Sequence, residues 1–236
     1  MDEKAGYTVE NTADPRSLTP EFIPLDPETW PRREQFWYFS QMAPTGYSVT
    51  VDVDVTAMRR TVKQNGLHFF PAYLWLITRT LNLQPEYRLA QSDGQMGHFT
   101  TLTPLYAVFH EDDRTFSMLW TPFCERFPAF YRQYLEDRQH YGGNHGILAD
   151  KEHLPPPNAY TVSCVPWVPF RHFAVHSYDN KPYYFPSVEA GKFREEDGRV
   201  LMPLSVTCHH AAADGWHLHR FLETLQRDAD HFEQFL

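Results

Sequence analysis

Residues 201–225, LMPLSVTCHHAAADGWHLHRFLETL, decide how this chain is read. The stretch opens as an apolar, β-rich run interrupted only by Pro203 and closes as a helix. Between the two, His209, His210, Asp214, Gly215, His217 and His219 fall within eleven residues. Three readings fit this polar corner. In the first, Asp214 caps the following helix and Gly215 supplies an unusual backbone angle. In the second, His210, Asp214, His217 and His219 hold a metal, although no HExxH or equivalent spacing is present. In the third, a histidine at the strand end is a general base, its ring held in one tautomer, with the aspartate organising the loop. Neighbouring strand residues point to opposite faces, so only one of His209 and His210 faces a given cleft.

Outward from this corner the chain mixes helices and strands. On the closing helix Trp216, Leu218, Phe221, Leu222 and Leu225 recur near helical spacing. YSVTVDVDV (47–55) alternates strictly, with Tyr47, Val49, Val51, Val53 and Val55 on one face, and predicts a half-buried strand. TAMRRTVKQNG (56–66) reads as a short helix closed by Gly66, and FFPAYLWLITRTLNLQP (69–85) as a buried helix ended by Pro85. PLYAVFHEDDRTFSMLW (104–120) predicts two strands joined by a charged turn, and CERFPAFYRQYLEDRQHY (124–141) a helix. A loop follows Tyr141, and AYTVSCVPW, RHFAVHSYD and YYFPSVEAGKF then read as short strands. With no internal repeat and no regular βαβ rhythm, the expectation is an α+β two-layer sandwich. Its sheet is mostly antiparallel or mixed and is packed by helices. Residues 26–236 are expected to form one domain, and residues 1–25, polar and proline-containing, an extension outside it.

Composition narrows the function. A formal charge of −9 argues against nucleic acid or an anionic membrane as the main partner, since both need clustered Lys and Arg. No run approaches the ~18 apolar residues of a membrane span, and MDEKAGYTVENTADPRS has no signal-peptide core. Cys124, Cys164 and Cys208 are odd in number and far apart, which suits a reducing compartment and no disulfide frame. A cytoplasmic protein is expected.

PLSVTCHHAAADGWHLHRFL resembles the HHxxxDG signature of the chloramphenicol acetyltransferase family. TWPRREQF, HFFPAYLWLI, PEYRLA, AVFHEDDRTFSMLW, VSCVPWVPF and GKFREEDGRVLMPLSV resemble further family segments in the same order. Gln35 stands where the family usually has histidine. The resemblance covers roughly residues 26–232 and implies the family's fold and its reaction, transfer of an acetyl group from acetyl-CoA to a hydroxyl. Acetyl-CoA then enters as co-substrate, and no permanently bound cofactor or metal is expected. His210 matches the catalytic base. Asp214 matches a structural aspartate in a buried salt bridge with the arginine matched by Arg32. Ser163 matches the hydroxyl that serves the oxyanion. Lys192 and Phe193 match positions near the coenzyme, and Tyr38, Phe39 and Ala43 the acceptor pocket, where Phe39 replaces a tyrosine and Ala43 a leucine. Glu189 falls where the family has a threonine that holds an active-site water. An ionised carboxylate there opposes the oxyanion and cannot donate a hydrogen bond. The resemblance further implies a homotrimer with sites between subunits. The implied acceptor is chloramphenicol. Another hydroxylated small molecule, or a binding relative without turnover, are the alternatives that Glu189 leaves open.

Overall fold

The computed structural model describes residues 20–149, 154–176 and 183–236. Its first strand, β1 (Phe22–Pro24), is followed by α1 (Arg33–Trp37) and a π-helical turn, Tyr38–Met42. Then come β2 (Gly46–Asp54), α2 (Thr56–Gln64), α3 (Phe69–Asn82), β3 (Leu89–Ser92), β4 (Gln95–Phe99), β5 (Thr103–Phe109), β6 (Phe116–Trp120) and α4 (Phe127–Tyr141). The rest of the chain gives β7 (Ala159–Val165), β8 (Ser187–Gly191), β9 (Arg194–Glu196), β10 (Arg199–His209) and α5 (Gly215–Asp230). Six strands make a continuous sheet in the order β2-β10-β8-β7-β5-β6, with β9 against the start of β10; β1, β4 and β3 form a small second sheet. The pairs β8–β7 and β7–β5 are parallel and the others antiparallel, so the large sheet is mixed. The expected α+β sandwich is the fold observed.

Alternation on β10 builds the two layers. Leu204, Val206 and Cys208 share a buried core with Val49 and Val51 of β2, Val188 of β8 and Val162 of β7. The same core takes Leu74, Trp75, Ile77 and Leu81 from α3, and Leu218, Phe221 and Leu225 from α5. Arg79 of α3 donates to Asp228 of α5, which pairs the charges these two helices bring inside. Pro203 is tolerated in an inner strand because on one edge of β10 it falls between the pairing with β9, which reaches Leu201, and that with β8, which starts at Leu204; on the other edge it lies opposite Asp52. Gly66, after α2, has φ +64°, the left-handed conformation expected of a residue closing a helix.

Three expectations change. Residues 171–176 are not a strand; residues 177–179 lie outside the described residues. This segment crosses the sheet's polar face: Phe173 N donates to Thr50 Oγ1 (3.4 Å) and its carbonyl accepts from Ser205 Oγ (2.5 Å). Side chains of the sheet satisfy the backbone of Phe173, and the alternation over residues 171–176 does not lead to a ladder. Trp216 is 65% exposed and stands off the buried face of α5, which is carried by His217, Leu218, Phe221, Leu225, Asp228 and Ala229. Finally, Phe22–Pro24, assigned to the extension, pair with Gly97–Phe99. The three cysteines are free. Among the described residues no helix is long and apolar enough to cross a membrane.

Candidate active site

The chain turns sharply as it leaves β10. Ala212 N and Ala213 N both return to His209 O, at 2.9 and 3.2 Å, and His210 N donates to Thr45 O at 2.9 Å. Ala211, Ala212 and Ala213 are completely buried in that turn, which is why three small residues follow the histidines. The two imidazoles part company here. His209 meets the edge of Tyr184 at 5.0 Å, and its Nδ1 accepts from Ala211 N at 3.1 Å. That bond occupies the Nδ1 lone pair and leaves the proton on Nε2. Burial, and then the neighbouring His210, push its pKa down. His210 goes the other way. Phe39 stacks on it at 3.8 Å with 7° between the planes, and Tyr47 meets it edge-on at 5.3 Å. Its Nδ1 is buried and without a hydrogen-bond partner, whereas the catalytic reading asks for a bond at the second nitrogen.

Phe39 reaches His210 from the π-helical turn after α1, which Ala43 N closes by donating to Tyr38 O at 2.8 Å. Tyr38 is half exposed and lies edge-on to Phe39 at 5.1 Å. Tyr38, Phe39 and Ala43 therefore sit on one turn beside His210. Tyr47, on the strand face directly opposite Cys208, was legible only as a core residue; its contact with His210 needs the β2–β10 register.

Asp214 caps α5, its Oδ1 accepting from Trp216 N at 3.0 Å, and Arg32 Nη1 donates to its Oδ2 at 2.6 Å. His217 lies between two carboxylates, Nδ1 2.9 Å from Asp214 Oδ1 and Nε2 3.6 Å from Glu86 Oε1. Burial works to raise the Asp214 pKa, but the bond from Arg32 and the charges of His217 and Arg32 prevail and bring it to about 2. The pair is only partly buried, with Arg32 16% and Asp214 33% exposed. The pair expected to be buried is thus partly exposed in the single chain. Gly215 does not take a positive φ, so its place in the first reading falls away, while the capping part holds. His219 is exposed and faces Glu223 at 3.4 Å. Among the described residues His210, Asp214, His217 and His219 do not converge as a metal site. The group that does converge is His110, Asp112 and His145, which sequence spacing does not signal.

Ser163 and Glu189 lie elsewhere in the chain. Register aligns Thr50, Ser205, Glu189 and Ser163 in one row across β2, β10, β8 and β7. The row crosses β10 four residues before His209, about 13 Å away at the usual rise of ~3.3 Å per residue. Glu189 is 1% exposed; Ser187 Oγ donates to its Oε1, and its Oε2 is buried without a partner. Burial raises its pKa to about 7 against the weaker opposing effect of Ser187. The carboxyl is thus poised at neutrality rather than firmly ionised, which corrects the charge assumed for it above. Lys192 lies beyond β8, at the sheet end opposite His209, on a cleft of about 580 Å³ that Arg171, Arg194, Asp52 and Phe170 also line. Phe193 turns away from that cleft and packs on Phe69 (5.0 Å) and under Arg59 (5.1 Å). One chain therefore separates a histidine corner, a Ser163–Glu189 row and a cleft of mixed charge, where Lys192 and Arg171 stand beside an Arg194 paired with Asp52 and Glu196.

A sequence profile described as chloramphenicol acetyltransferase matches residues 21–226. A chloramphenicol acetyltransferase of Clostridium perfringens is 34% identical over 217 residues, covering 92% of this chain and 98% of the relative. One of Vibrio anguillarum is 36% identical over 207 residues, 87% of this chain and 93% of the relative. A solved chloramphenicol acetyltransferase superposes with a TM-score of 0.79 at 24% identity, covering 88% of this chain and 99% of that one, which attests the shared fold.

Asp214 joins a cap to an ion pair, and two substitutions separate them. Asp214→Asn keeps a capping side chain and loses the charge; urea denaturation at pH 7 should show a loss of about 1–2 kcal/mol, as the Arg32 pair is half-solvated. Asp214→Ala should cost roughly another 1 kcal/mol through the lost cap. The stabilisation from the lowered pKa is fully present above pH 3.8 and is lost as pH falls through about 2, so wild type and Asp214→Asn should converge in acid.

Proposed function

This chain belongs to the chloramphenicol acetyltransferase family, and from that premise we propose that it transfers the acetyl group of acetyl-CoA to the hydroxyl of a small acceptor, chloramphenicol first among them. The observation that carries the proposal is the contrast between the two adjacent histidines. His209 has its Nδ1 lone pair engaged by Ala211 N, whereas the buried Nδ1 of His210 has no such partner. With the proton on its buried Nδ1, His210 keeps the Nε2 lone pair for the acceptor. Nε2 takes the hydroxyl proton as the oxygen attacks the thioester carbonyl. The resulting oxyanion accepts a hydrogen bond from Ser163 Oγ. Collapse breaks the carbon–sulfur bond, and the departing thiolate recovers the proton from His210. Asp214 and Arg32 hold the turn that presents the ring, and Phe39, Tyr38 and Ala43 wall the acceptor side. The cleft beside Lys192 suits the anionic part of the coenzyme.

The separation of His210 from Ser163 within one chain supports a site assembled from two subunits, and membership of the family makes a homotrimer the assembly proposed. His210 of one subunit would then meet the Ser163–Glu189 row of the next.

Three measurements test this reading. With acetyl-CoA and chloramphenicol, thiol release should fall at least about a thousandfold in His210→Ala while His209→Ala keeps substantial activity; equal losses would reject the assignment of the base. Light scattering should give a trimer, and co-refolded equal mixtures of His210→Ala and Ser163→Ala chains should regain roughly a quarter of wild-type activity, since random pairing at a heterologous interface restores that share of sites. A mixture as inactive as its parents would place both residues in one chain's site.

Glu189 sets the pH dependence. Below about pH 7 its carboxyl is neutral and able to donate, and above it the charge opposes the oxyanion. The wild-type kcat/KM should therefore decline from pH 7 to 8.5, whereas Glu189→Thr should hold its rate and exceed wild type by about tenfold to a hundredfold at the upper end. An unchanged or lower kcat/KM in Glu189→Thr across that range would reject the clash and favour a different hydroxylated acceptor.

A further inference from the structure

The turn between β5 and β6 carries side chains for which the transfer reaction has no use. His110 follows β5, which runs parallel to β7 and β8 and hence antiparallel to β10, so it lies at the sheet end remote from His209. There His110, Asp112 and His145 bring one ligand atom each within 4.8 Å of one another. We propose that these three side chains form a binding site for a divalent transition metal of the zinc class, closed by a water as fourth ligand.

The geometry of one ligand pair is already that of a bound ion. His145 Nε2 lies 3.4 Å from Asp112 Oδ2. A tetrahedral ion with bonds of ~2.0–2.2 Å holds its ligands roughly 3.3–3.6 Å apart. The second nitrogen of His145 is fixed as metal-bound imidazoles usually are: Nδ1 lies 2.8 Å from Asp113 Oδ2, a carboxylate that sets the tautomer with the lone pair on Nε2. Asp113 is itself held, its Oδ1 accepting from Thr115 N (2.9 Å) and Thr115 Oγ1 (2.7 Å). Across from it, buried His110 has Nε2 3.0 Å from Ser117 Oγ, which leaves Nδ1 for a ligand bond when the hydroxyl accepts. The loop bearing His145 is tied to β6 by Met118 N donating to Ile147 O at 2.7 Å. The imidazoles stack at 4.1 Å with 19° between planes, so sharing an ion requires one ring to tilt. His145 is 44% exposed, and the side chains of Asp112 and Asp113, 70% and 44% exposed, can follow a tilt of its ring. Two nitrogens and one carboxylate oxygen with an open position suit zinc better than calcium or magnesium, which take mainly oxygen. Because the ligands come from the β5–β6 turn and the loop after α4, a bound ion would join two segments far apart in sequence.

The test uses the full chain without a histidine tag, titrated with zinc chloride by calorimetry and with cobalt(II) chloride by visible absorption. The expected result is one ion per chain, a four-coordinate cobalt spectrum, and a melting temperature that rises with zinc concentration. His145→Gln and Asp112→Asn, both at exposed positions, should weaken zinc by more than ~100-fold, and Asp113→Asn by about ten- to a hundredfold, as loss of an orienting carboxylate does. Acetyl transfer should be unchanged in these variants. Absence of stoichiometric zinc in the wild type would overturn the proposal, as would zinc binding that survives both ligand substitutions. So would binding lost in His210→Ala but kept in His145→Gln, which would move the ion to the histidine corner.

Discussion

β10 is hydrogen-bonded on both sides, to β2 along nine residues and to β8 and β9 on its other edge. A strand enclosed in this way cannot slip by one residue without exchanging its faces. Leu204, Val206 and Cys208 must meet the helices, and Ser205 and Thr207 must find hydrogen-bond partners on the opposite face. The apolar face anchors α3 and α5; the polar face carries the row that contains Glu189 and Ser163. At its last residue the strand delivers the two histidines with their rings pointing apart. Much of the molecule's chemistry follows from how this one strand is held.

The corner beyond it depends on charge as well as packing. Three alanines fill the turn because no space is left there, and Asp214 ends it by serving α5 and Arg32 at once. Arg32 is 182 residues away in sequence, so its bond to Asp214 attaches the α1 segment to the strand end. That attachment brings the π-helical turn, and with it Phe39, onto His210. Asp214 and Glu189 show how environment sorts two carboxyls in one protein. Asp214, facing a guanidinium and an imidazole, stays ionised down to about pH 2, whereas Glu189, enclosed with a serine for company, holds its proton to about pH 7.

The proposed site between subunits draws on the same register. Ser163 and His210 belong to different levels of one sheet, since the row that holds Ser163 crosses β10 four residues before His209, about 13 Å at ~3.3 Å per residue. The aromatic and aliphatic side chains exposed on a single chain, Trp37, Tyr38, Met42, Trp167 and Trp216 among them, are surface that subunit contacts could cover.

The sequence by itself determined the elements and the corner. Alternation over 47–55, the all-round apolar 69–82 and the HHAAADG turn each show as patterns among near neighbours in the chain, so they could be read from the sequence. The Asp214 cap is local for the same reason. What only the tertiary structure decided is everything carried by contacts distant in sequence. The alternation over residues 171–176 meant nothing for pairing, and Thr50 and Ser205 engage the backbone of Phe173 instead. Tyr47 was a core residue until the β2–β10 register set it against His210. Glu189 looked like a charge, and its protonation was decided by burial that no spacing reveals. His110, Asp112 and His145 formed no motif at all, since the loop carrying His145 reaches the β5–β6 turn only after α4 has run its length. A sequence pattern records the period of a helix or strand, but proximity between segments depends on how the layers pack, and pKa depends on what that packing removes from water.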